Sequence, residues 1–382
     1  FILMIEILNL LGYFIKMNNK NLSIVLPTYN ERDNIQPVLK EIFQLASDYI
    51  LEILIVDDNS SDGTSDLVKS LAKKDSRIRL IRRVGRFGLS SAIKEGLLNA
   101  TNDMAVVMDA DGQHQPSDAL YAVKELINTN SDLIVGSRFI DTSSISGLSN
   151  RRAIGSNSAN NLARISLSKS YQHLTDYMSG CLALNLKTCL PFILKVNVNG
   201  FKFYYEILSL SKGSLKVKEV PLTFKARFHG KSKLDISVVW DFLISLIHTL
   251  TFRVLPRRAI SFGLVGLSGV LVQLISTKIL MYFLSAPFEK ALPISVFMAA
   301  TSNYLINNAL TFRSQRLLGF TLLNGLAKFL LVSSLPVIAN IGLATAFYNS
   351  VYENTFFAQI SGIFVVFIWN YVASSRFVWN TP

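Results

Sequence analysis

The sequence predicts two structural classes in one chain of 382 residues: an α/β domain with a mainly parallel sheet, followed by an all-α domain of four transmembrane helices. Three observations predict this. Charged residues are spread over 18–235 but become rare after Ala259. In the first part, short apolar strands alternate with amphipathic helices, which is typical of a parallel sheet covered on both faces. In the second part, apolar stretches reach about 20 residues, enough to cross a bilayer.

Five short apolar stretches predict the strands, and four stretches with helical spacing predict the helices between them. We expect strands at 22–26, 52–56, 78–81, 104–108 and 133–135, and helices at 33–46, 64–74, 90–100 and 117–128. Acidic residues follow three of the strands: Glu31, then Asp57 with Asp58, then Asp109 with Asp111. Because ligands of such sheets bind at the carboxyl ends of the strands, these three clusters predict one binding crevice.

The second part contains four apolar stretches, at 259–284, 291–311, 318–347 and 355–375. Arginines fall at the ends that four passes place on one side: Arg257, Arg258, Arg313, Arg316 and Arg376. The positive-inside rule then predicts a multi-pass cell-membrane protein whose termini and α/β domain are cytoplasmic. Two stretches end alike, with Asn303-Tyr304 and Asn370-Tyr371 each followed by Phe and Arg, which suggests duplicated helix pairs.

Two further segments complete the domain organisation. Residues 234–256 mix apolar side chains with Asp235, Asp241 and Arg253, which favours amphipathic helices at the membrane interface. A fifth spanning helix is the alternative, although Asp241 lies near its middle. Residues 1–17 are expected to be an extension without catalytic importance, which leaves 18–233 as the α/β domain and 257–382 as the membrane domain.

The net charge of +12 indicates anionic partners. Basic residues cluster at 225–233 and just before the membrane stretches, and no nucleic-acid motif occurs. We therefore expect contacts with the membrane surface and with phosphate groups rather than with nucleic acid. The bland alternative is the basic bias of any membrane protein. The two cysteines, Cys181 and Cys189, predict neither a disulfide framework nor a metal site.

The segment Asp109-Ala110-Asp111-Gly112-Gln113 carries the clearest chemistry. Cleaving the glycosyl bond of a nucleotide sugar develops negative charge on a diphosphate, and a carboxylate-bound divalent cation can stabilise that charge. Oxygen ligands suit Mg²⁺ or Mn²⁺. The alternative is that these carboxylates cap the following helix.

Six motifs occur in order over about 18–235 and carry a resemblance to a known family. They are Pro27-Thr28-Tyr29-Asn30-Glu31, Val56-Asp57-Asp58 with its Ser-Asp-Gly-Thr turn, Asp109-Ala110-Asp111, Val135-Gly136-Ser137-Arg138-Phe139, Asp176-Tyr177-Met178-Ser179-Gly180, and Lys218-Glu219-Val220-Pro221 with 227–233. Together with Arg86-Phe87-Gly88-Leu89-Ser90, the sequence resembles glycosyltransferase family 2 with its GT-A fold, and within it the dolichol-phosphate mannose synthases and their bacterial relatives.

That resemblance implies a role for each matching residue. Those expected to hold the nucleotide sugar are Pro27, Tyr29, Glu31, Val56, Asp58, Ala110, Arg227 and Lys233. Those expected to bind Mg²⁺ or Mn²⁺ are Asp109, Asp111 and Gln113. Those expected to act at the acceptor phosphate or in catalysis are Arg138, Arg152 and Asp176, beside Asp109 and Asp111. Arg152 could instead be a solvated residue at a helix start, Arg227 and Lys233 could be interfacial lipid contacts, and Asp176 could be a helix cap.

The implied reaction is transfer of mannose or glucose from GDP-mannose or UDP-glucose to a dolichyl or undecaprenyl phosphate. An ionised phosphate can attack directly, so we expect a single displacement with inversion. The membrane part resembles the GtrA-like domains, through Phe262-Gly263-Leu264-Val265-Gly266 and the two Asn-Tyr ends. A homo-oligomer is a further expectation. The alternatives are a transferase for another lipid or for a protein, and a flippase or scaffold for lipid-linked sugars. A processive polysaccharide synthase would carry Q-x-x-R-W, which the sequence lacks.

Overall fold

The computed structural model describes residues 21–85, 88–140, 150–198, 202–225, 236–334 and 367–380. Within these ranges the chain divides into two compact units, Phe1–Thr249 and Leu250–Pro382. The predicted extension at 1–17 lies outside the described residues.

The first unit is built on a sheet in which seven strands are described, in the order β3-β2-β1-β4-β6-β5-β7. The strands are β1 Asn21–Thr28, β2 Ile50–Asp57, β3 Ile78–Arg82, β4 Met104–Val107, β5 Leu133–Ser137, β6 Leu182–Asn185 and β7 Val217–Pro221. All pairings are parallel except those of β6, which runs antiparallel to both β4 and β5. The predicted α/β class with a mainly parallel sheet is therefore confirmed.

Helices connect the strands and cover the sheet. They are α1 Arg32–Leu45, α2 Thr64–Lys74, α3 Leu89–Asn99, α4 Pro116–Thr129, α5 Asn150–Ser166, α6 Leu186–Lys195, α7 Phe203–Ser211 and α8 Ile236–Leu250. Local chemistry sets their ends. The Asp62 carboxylate accepts the Thr64 amide at 3.0 Å where α2 begins. Pro116 opens α4, and Asn130 ends it with a left-handed φ of 45°.

One glycine shows how closely the layers pack. A Cβ placed on Gly96 of α3 would overlap the Val25 side chain of β1. The missing side chain therefore lets α3 lie directly on the centre of the sheet, next to the strand whose end begins the predicted crevice.

The segment at 234–256, predicted to be interfacial, is described from residue 236 as α8. This helix belongs to the first unit. Phe242 meets the Tyr205 ring of α7 edge to face at 5.8 Å, and the Ser209 and Thr249 hydroxyls lie 2.9 Å apart. Its contact with the interface stays a prediction.

The second unit is helical. Its helices are α9 Arg257–Phe283, α10 Phe288–Ile306, α11 Phe320–Ser334 and a segment at 367–373. Among the described residues, α9 alone is long and apolar enough to cross a bilayer. All four predicted stretches are thus helical where they are described, while the count of four spans is not confirmed.

An aromatic cluster around Trp379 forms the core of this unit. The Trp379 ring stacks on Phe312 at 4.1 Å and on Tyr304 at 5.6 Å between centroids. Its Nε1–H donates to Asn308 Oδ1 at 3.1 Å. The two segments with similar sequences also end alike, because a π-helical turn follows each of them, at Asn307–Thr311 and Ser374–Val378. This likeness in backbone supports the suggested duplication.

Candidate active site

Two of the predicted acidic clusters lie at the carboxyl ends of neighbouring strands. Thr28 at the end of β1 pairs in register with Asp57 at the end of β2, and β4 lies on the other side of β1. The Asp58 amide donates to Thr28 O at 2.9 Å, and the Met108 amide donates to Val25 O at 3.2 Å. The chain thus leaves all three strands on the same edge of the sheet, as the sequence predicted.

Asp57 shapes the loop after β2. Its buried carboxylate accepts the hydroxyls of Ser60 and Ser65 and the Ser60 amide. The Asn30 amide donates to Ser60 Oγ at 2.8 Å, and Asn30 Oδ1 accepts the Ser61 amide at 3.0 Å. These bonds join the loop after β1 to the loop after β2, so both can contact one ligand.

The Asp58 carboxylate is held in place by two partners. It lies 2.9 Å from the Arg83 guanidinium and accepts the Gly88 amide at 2.8 Å. Arg83 also lies 3.1 Å from Glu95 and is almost fully buried. Arg83 was not predicted from the sequence. The sequence does contain an indication of its role, because Arg83 directly follows β3 at the edge of the sheet where the acidic clusters lie.

Four more of the residues predicted to hold the nucleotide sugar lie at or directly after the ends of β1 and β2. Pro27 and Val56 are paired across β1 and β2, and both are buried. Glu31 accepts the Asn34 side-chain amide at 2.6 Å, and its own amide donates to Thr64 Oγ1 at 3.1 Å. Tyr29 is partly exposed between them. Their roles toward a nucleotide stay predictions.

The segment Asp109–Gln113, predicted to bind a metal and called the metal motif below, follows β4 and is closely packed. The Asp109 amide donates to His114 Nδ1 at 3.0 Å, while the Asp109 side chain is 31% exposed. Ala110 is buried. A Cβ on Gly180 would lie 3.5 Å from Asp109 Oδ2. The glycine of the Asp-x-x-Ser-Gly motif therefore lies against the carboxylate of the Asp-x-Asp motif, joining two segments some 70 residues apart.

Asp111 and Gln113 complete this motif. Asp111 Oδ1 accepts the Gln113 amide at 3.1 Å, and Gln113 Nε2 donates to Lys225 O at 3.1 Å. Two carboxylates and one amide oxygen form an all-oxygen donor set, which fits Mg²⁺ or Mn²⁺. Within the described ranges, no group of three or more His, Cys, Asp or Glu is placed to hold a metal.

Arg138 and Asp176 form a buried ion pair. Arg138 Nε and Nη2 donate to the two Asp176 oxygens at 2.7 and 2.9 Å, and the Arg138 amide donates to Oδ2 at 3.2 Å. Burial acts to lower the pKa of Arg138, but the charges of Asp176 and then Asp109 outweigh it and raise the pKa. Arg138 is therefore a fixed cation within electrostatic reach of the metal motif.

Lys202 is a second cation of this site that the sequence did not single out. Its Nζ donates to Met178 O at 3.1 Å. Burial, followed by the charge of Arg138, lowers its pKa to about 8, while Asp176 and Asp109 act in the opposite direction. The only indication in the sequence is that Lys202 lies at the start of α7, four residues before Glu206, which is buried.

Three predicted residues are not tested by these contacts. Arg152 lies in α5, but its side chain is outside the described residues, as are Arg227 and Lys233 altogether. Lys225, which precedes Arg227 by two positions, is nevertheless paired with Gln113: its amide donates to Gln113 O at 3.1 Å. Lys225 therefore lies beside Gln113.

Comparison with known proteins gives two family matches. Residues 23–190 match the model of glycosyl transferase family 2, and residues 261–379 match the GtrA/DPMS transmembrane domain. The dolichol-phosphate mannosyltransferase of Pyrococcus furiosus is 34% identical over 296 residues, which cover 77% of this chain and 82% of the relative. This chain belongs to glycosyltransferase family 2. The family 2 domain makes it a glycosyltransferase, and the GtrA/DPMS domain makes it a membrane protein.

Two further known proteins are similar to this chain. The dolichol-phosphate mannosyltransferase of Mycosarcoma maydis is 32% identical over 261 residues, which cover 66% of this chain and 84% of the relative. Among solved structures, glucosyl-3-phosphoglycerate synthase from Mycobacterium tuberculosis, in complex with Mn²⁺ and UDP, is similar at 19% identity. Its TM-score is 0.43, with 61% of this chain and 81% of that chain covered.

Proposed function

We propose that the protein transfers mannose from GDP-mannose to a polyprenyl phosphate, with a divalent cation at the donor diphosphate. One observation supports this most directly: the Arg138 guanidinium, fixed by Asp176, lies within electrostatic reach of Asp109 of the metal motif. An acceptor phosphate and a donor diphosphate are both anionic, and such a pair of sites would hold them next to each other. The named activity of the relatives from Pyrococcus furiosus and Mycosarcoma maydis supports the choice of sugar and acceptor.

On the donor side, Asp109, Asp111 and Gln113 would hold Mg²⁺ or Mn²⁺. The cation would stabilise the charge that develops on the leaving diphosphate. Lys202 would add a positive charge beside the same group, and the resemblance assigns Arg227 and Lys233 there as well. The loops after β1 and β2, with Glu31 and Asp58, would hold the nucleoside.

On the acceptor side, Arg138 and Arg152 would bind the lipid phosphate. A guanidinium presents paired N–H donors that match phosphate oxygens. The phosphate is ionised at neutral pH, so no side chain needs to remove a proton from it. Positioning and charge stabilisation would then supply most of the rate enhancement, in a single in-line displacement that inverts the anomeric centre.

We further propose a multi-pass arrangement in the cell membrane with the catalytic domain in the cytoplasm. The arginines at 257, 258, 313, 316 and 376 support it through the positive-inside rule. GDP-mannose is a soluble donor, which suits a site on that side.

A donor screen tests the function. Purified full-length protein in detergent, with Mn²⁺ or Mg²⁺, is incubated with polyprenyl phosphate and one radiolabelled nucleotide sugar at a time, and the lipid phase is counted. We expect label from GDP-mannose that is lost with EDTA, and a product with inverted anomeric configuration. Label from UDP-glucose alone would show that the transferred sugar is glucose and not mannose. Nucleotide binding without label from any donor would overturn the polyprenyl phosphate acceptor and favour another lipid or a protein.

A further inference from the structure

Glu219 contributes a second carboxylate behind Arg138. It lies in β7 opposite Val135 of β5. Its carboxylate accepts the Thr175 amide at 2.8 and 2.9 Å, the Thr175 hydroxyl at 2.9 Å and the Asp176 amide at 2.9 Å. One side chain thus takes three donors from two consecutive residues, and two of them are backbone groups.

The residues that Glu219 holds are those that orient Arg138. Asp176 is fully buried, and its carboxylate binds the Arg138 guanidinium in a bidentate pair. Asp176 Oδ1 also accepts the Met178 amide at 3.0 Å. The Thr175 hydroxyl lies 2.7 Å from the Ser137 hydroxyl, directly before Arg138 in sequence. A displacement of 175–176 would therefore move the guanidinium.

The chemistry of this contact favours a carboxylate over the other polar side chains. Two backbone N–H groups and one hydroxyl need acceptors, and an ionised carboxylate offers two oxygens and no donor. Glutamine has only one acceptor oxygen and would turn an NH₂ group toward a backbone N–H. Keeping this second carboxylate ionised is costly, since burial, together with the charge of Asp176, raises the pKa of Glu219 by more than the hydrogen bonds from Asp176 and Thr175 lower it. Stability alone does not require such an arrangement.

We propose that Glu219 is a positioning residue: it fixes the Thr175–Asp176 segment so that Asp176 holds Arg138 in the orientation that binds the acceptor phosphate. This inference rests on the proposed function for the identity of the acceptor. Glu219 does not touch the substrate. It acts through its hydrogen bonds to Thr175 and Asp176, and its main effect is expected in the acceptor half of the site.

The variant Glu219→Gln tests this role by a split between the two substrates. We expect the KM for polyprenyl phosphate to rise about tenfold, in line with a lost charged hydrogen bond. The affinity for the donor nucleotide, measured by isothermal titration in detergent, should change less than about twofold, because the Glu219 hydrogen bonds end at Thr175 and Asp176 and not at Asp109, Asp111 or Gln113. Glu125→Gln is the matched control, since the only hydrogen bond described for that carboxylate is a 3.5 Å contact with Asn128. It should leave both constants unchanged.

A double-mutant cycle with Arg138→Lys separates positioning from general structure. If Glu219 acts through Arg138, adding Glu219→Gln to Arg138→Lys should raise the acceptor KM no further. Equal effects of Glu219→Gln in both backgrounds, or equal losses of donor and acceptor binding, would overturn the proposal. If Glu219→Gln does not fold, Glu219→Asp carries the same cycle, because it keeps the charge and withdraws the carboxylate by one methylene.

The wild-type assay distinguishes the two levels of inference. A wild-type protein that glycosylates no polyprenyl phosphate would overturn the proposed acceptor, and the assignment of Glu219 to it. A wild-type protein that does so, with an unchanged acceptor KM in Glu219→Gln, would overturn the role of Glu219 alone.

Discussion

The two units of the molecule differ in the polar groups that they bury. The sheet unit buries charged side chains such as Asp58 and Asp176, whereas the buried polar residues described in the helical unit are serine, threonine and asparagine. Buried neutral atoms without a described partner occur in both units. In the sheet unit, carboxylates at the strand ends have partners on several sides: Asp58 meets Arg83 and Gly88, and Asp176 meets Arg138. In the helical unit, neutral groups on two similar segments have buried atoms with no hydrogen-bond partner among the described residues. They are Asn303 Oδ1, Asn307 Oδ1, Asn370 Oδ1 and Ser374 Oγ.

The difference follows from the cost of burial. An ionised carboxylate cannot be buried without partners, whereas an unpaired amide or hydroxyl costs only a few kcal/mol. The candidate active site needs its carboxylates ionised, and the hydrogen-bond donors around each carboxylate stabilise that charge. The helical unit relies on aromatic stacking around Trp379 and can leave some amides unpaired. The predictions below test this contrast, beginning with the largest effect.

Asp111→Ala should lower transferase activity about a thousandfold, because a metal ligand supplies several kcal/mol of charge stabilisation. The lipid-phase count of the donor screen measures it. Asp103→Ala is the control: Asp103 precedes β4 where Asp111 follows it, and it pairs at the surface with Lys187. The control should keep full activity. An active Asp111→Ala would contradict the metal role and return the motif to helix capping.

Arg83→Met should destabilise the sheet unit by about 4 kcal/mol, since it removes the cationic partner of the buried Asp58 carboxylate. Thermal unfolding of the full chain in detergent, followed by circular dichroism, measures the loss. Arg79→Met is the matched variant in β3, because Arg79 pairs with Glu52 but is 42% exposed. Its effect should stay below about 1 kcal/mol. Equal losses of stability in the two variants would show that the buried position of Arg83 does not make its ion pair more important than that of Arg79.

The neighbours Asn307 and Asn308 should respond differently to the same substitution. Asn308 accepts the Leu317 amide at 2.8 Å and donates to Leu317 O at 2.9 Å, so Asn308→Leu should cost about 2 kcal/mol. Asn307→Leu should be neutral or stabilising, because its Oδ1 has no described partner. Thermal midpoints in detergent give both values. A large loss for Asn307→Leu would mean that its amide is bound to a group not described here.

Activity should fall as pH rises through about 8, by roughly tenfold per pH unit in kcat/KM for the donor once Lys202 is neutral. The sign follows from a lysine pKa lowered from 10.5: the ammonium is present below about 8 and lost above it. Between these two values, folding stability gains from rising pH, because the unfolded chain binds the extra proton. Lys202→Arg should remove the fall in activity. If the activity of this variant still falls above about pH 8, the fall is caused by another titrating group.

Much of the sheet unit could be predicted from the sequence. Strands β1 to β5 and helices α1 to α4 lie within one or two residues of their predicted bounds. Short apolar stretches mark the strands, helical spacing of apolar residues marks the helices, and turn residues mark the ends of both. Strands β6 and β7 were not predicted. β6 has four residues and enters the sheet between β4 and β5 in antiparallel direction, a pairing that no local pattern encodes.

The site was predicted as residue types but not as contacts. Asp58 was assigned to the nucleotide, and the sequence could not show that Arg83 holds it, because a partner 25 residues away has no fixed spacing. Lys202 and Glu219 were missed as site residues for the same reason. Both contact the segment 175–178, which only the fold brings to Arg138.

The chain's two thiols are both closed to solvent. Cys181 lies in the sheet core, and burial raises its pKa; Cys189 is likewise buried in α6, with a pKa of about 12. Neither will react readily with a water-soluble maleimide in the folded protein. A cysteine introduced at Ser285, between α9 and α10, would then be the one labelled position. Comparing intact cells with permeabilised cells would show on which side of the membrane that loop lies. The natural chain is thus ready for topology mapping without prior removal of its cysteines.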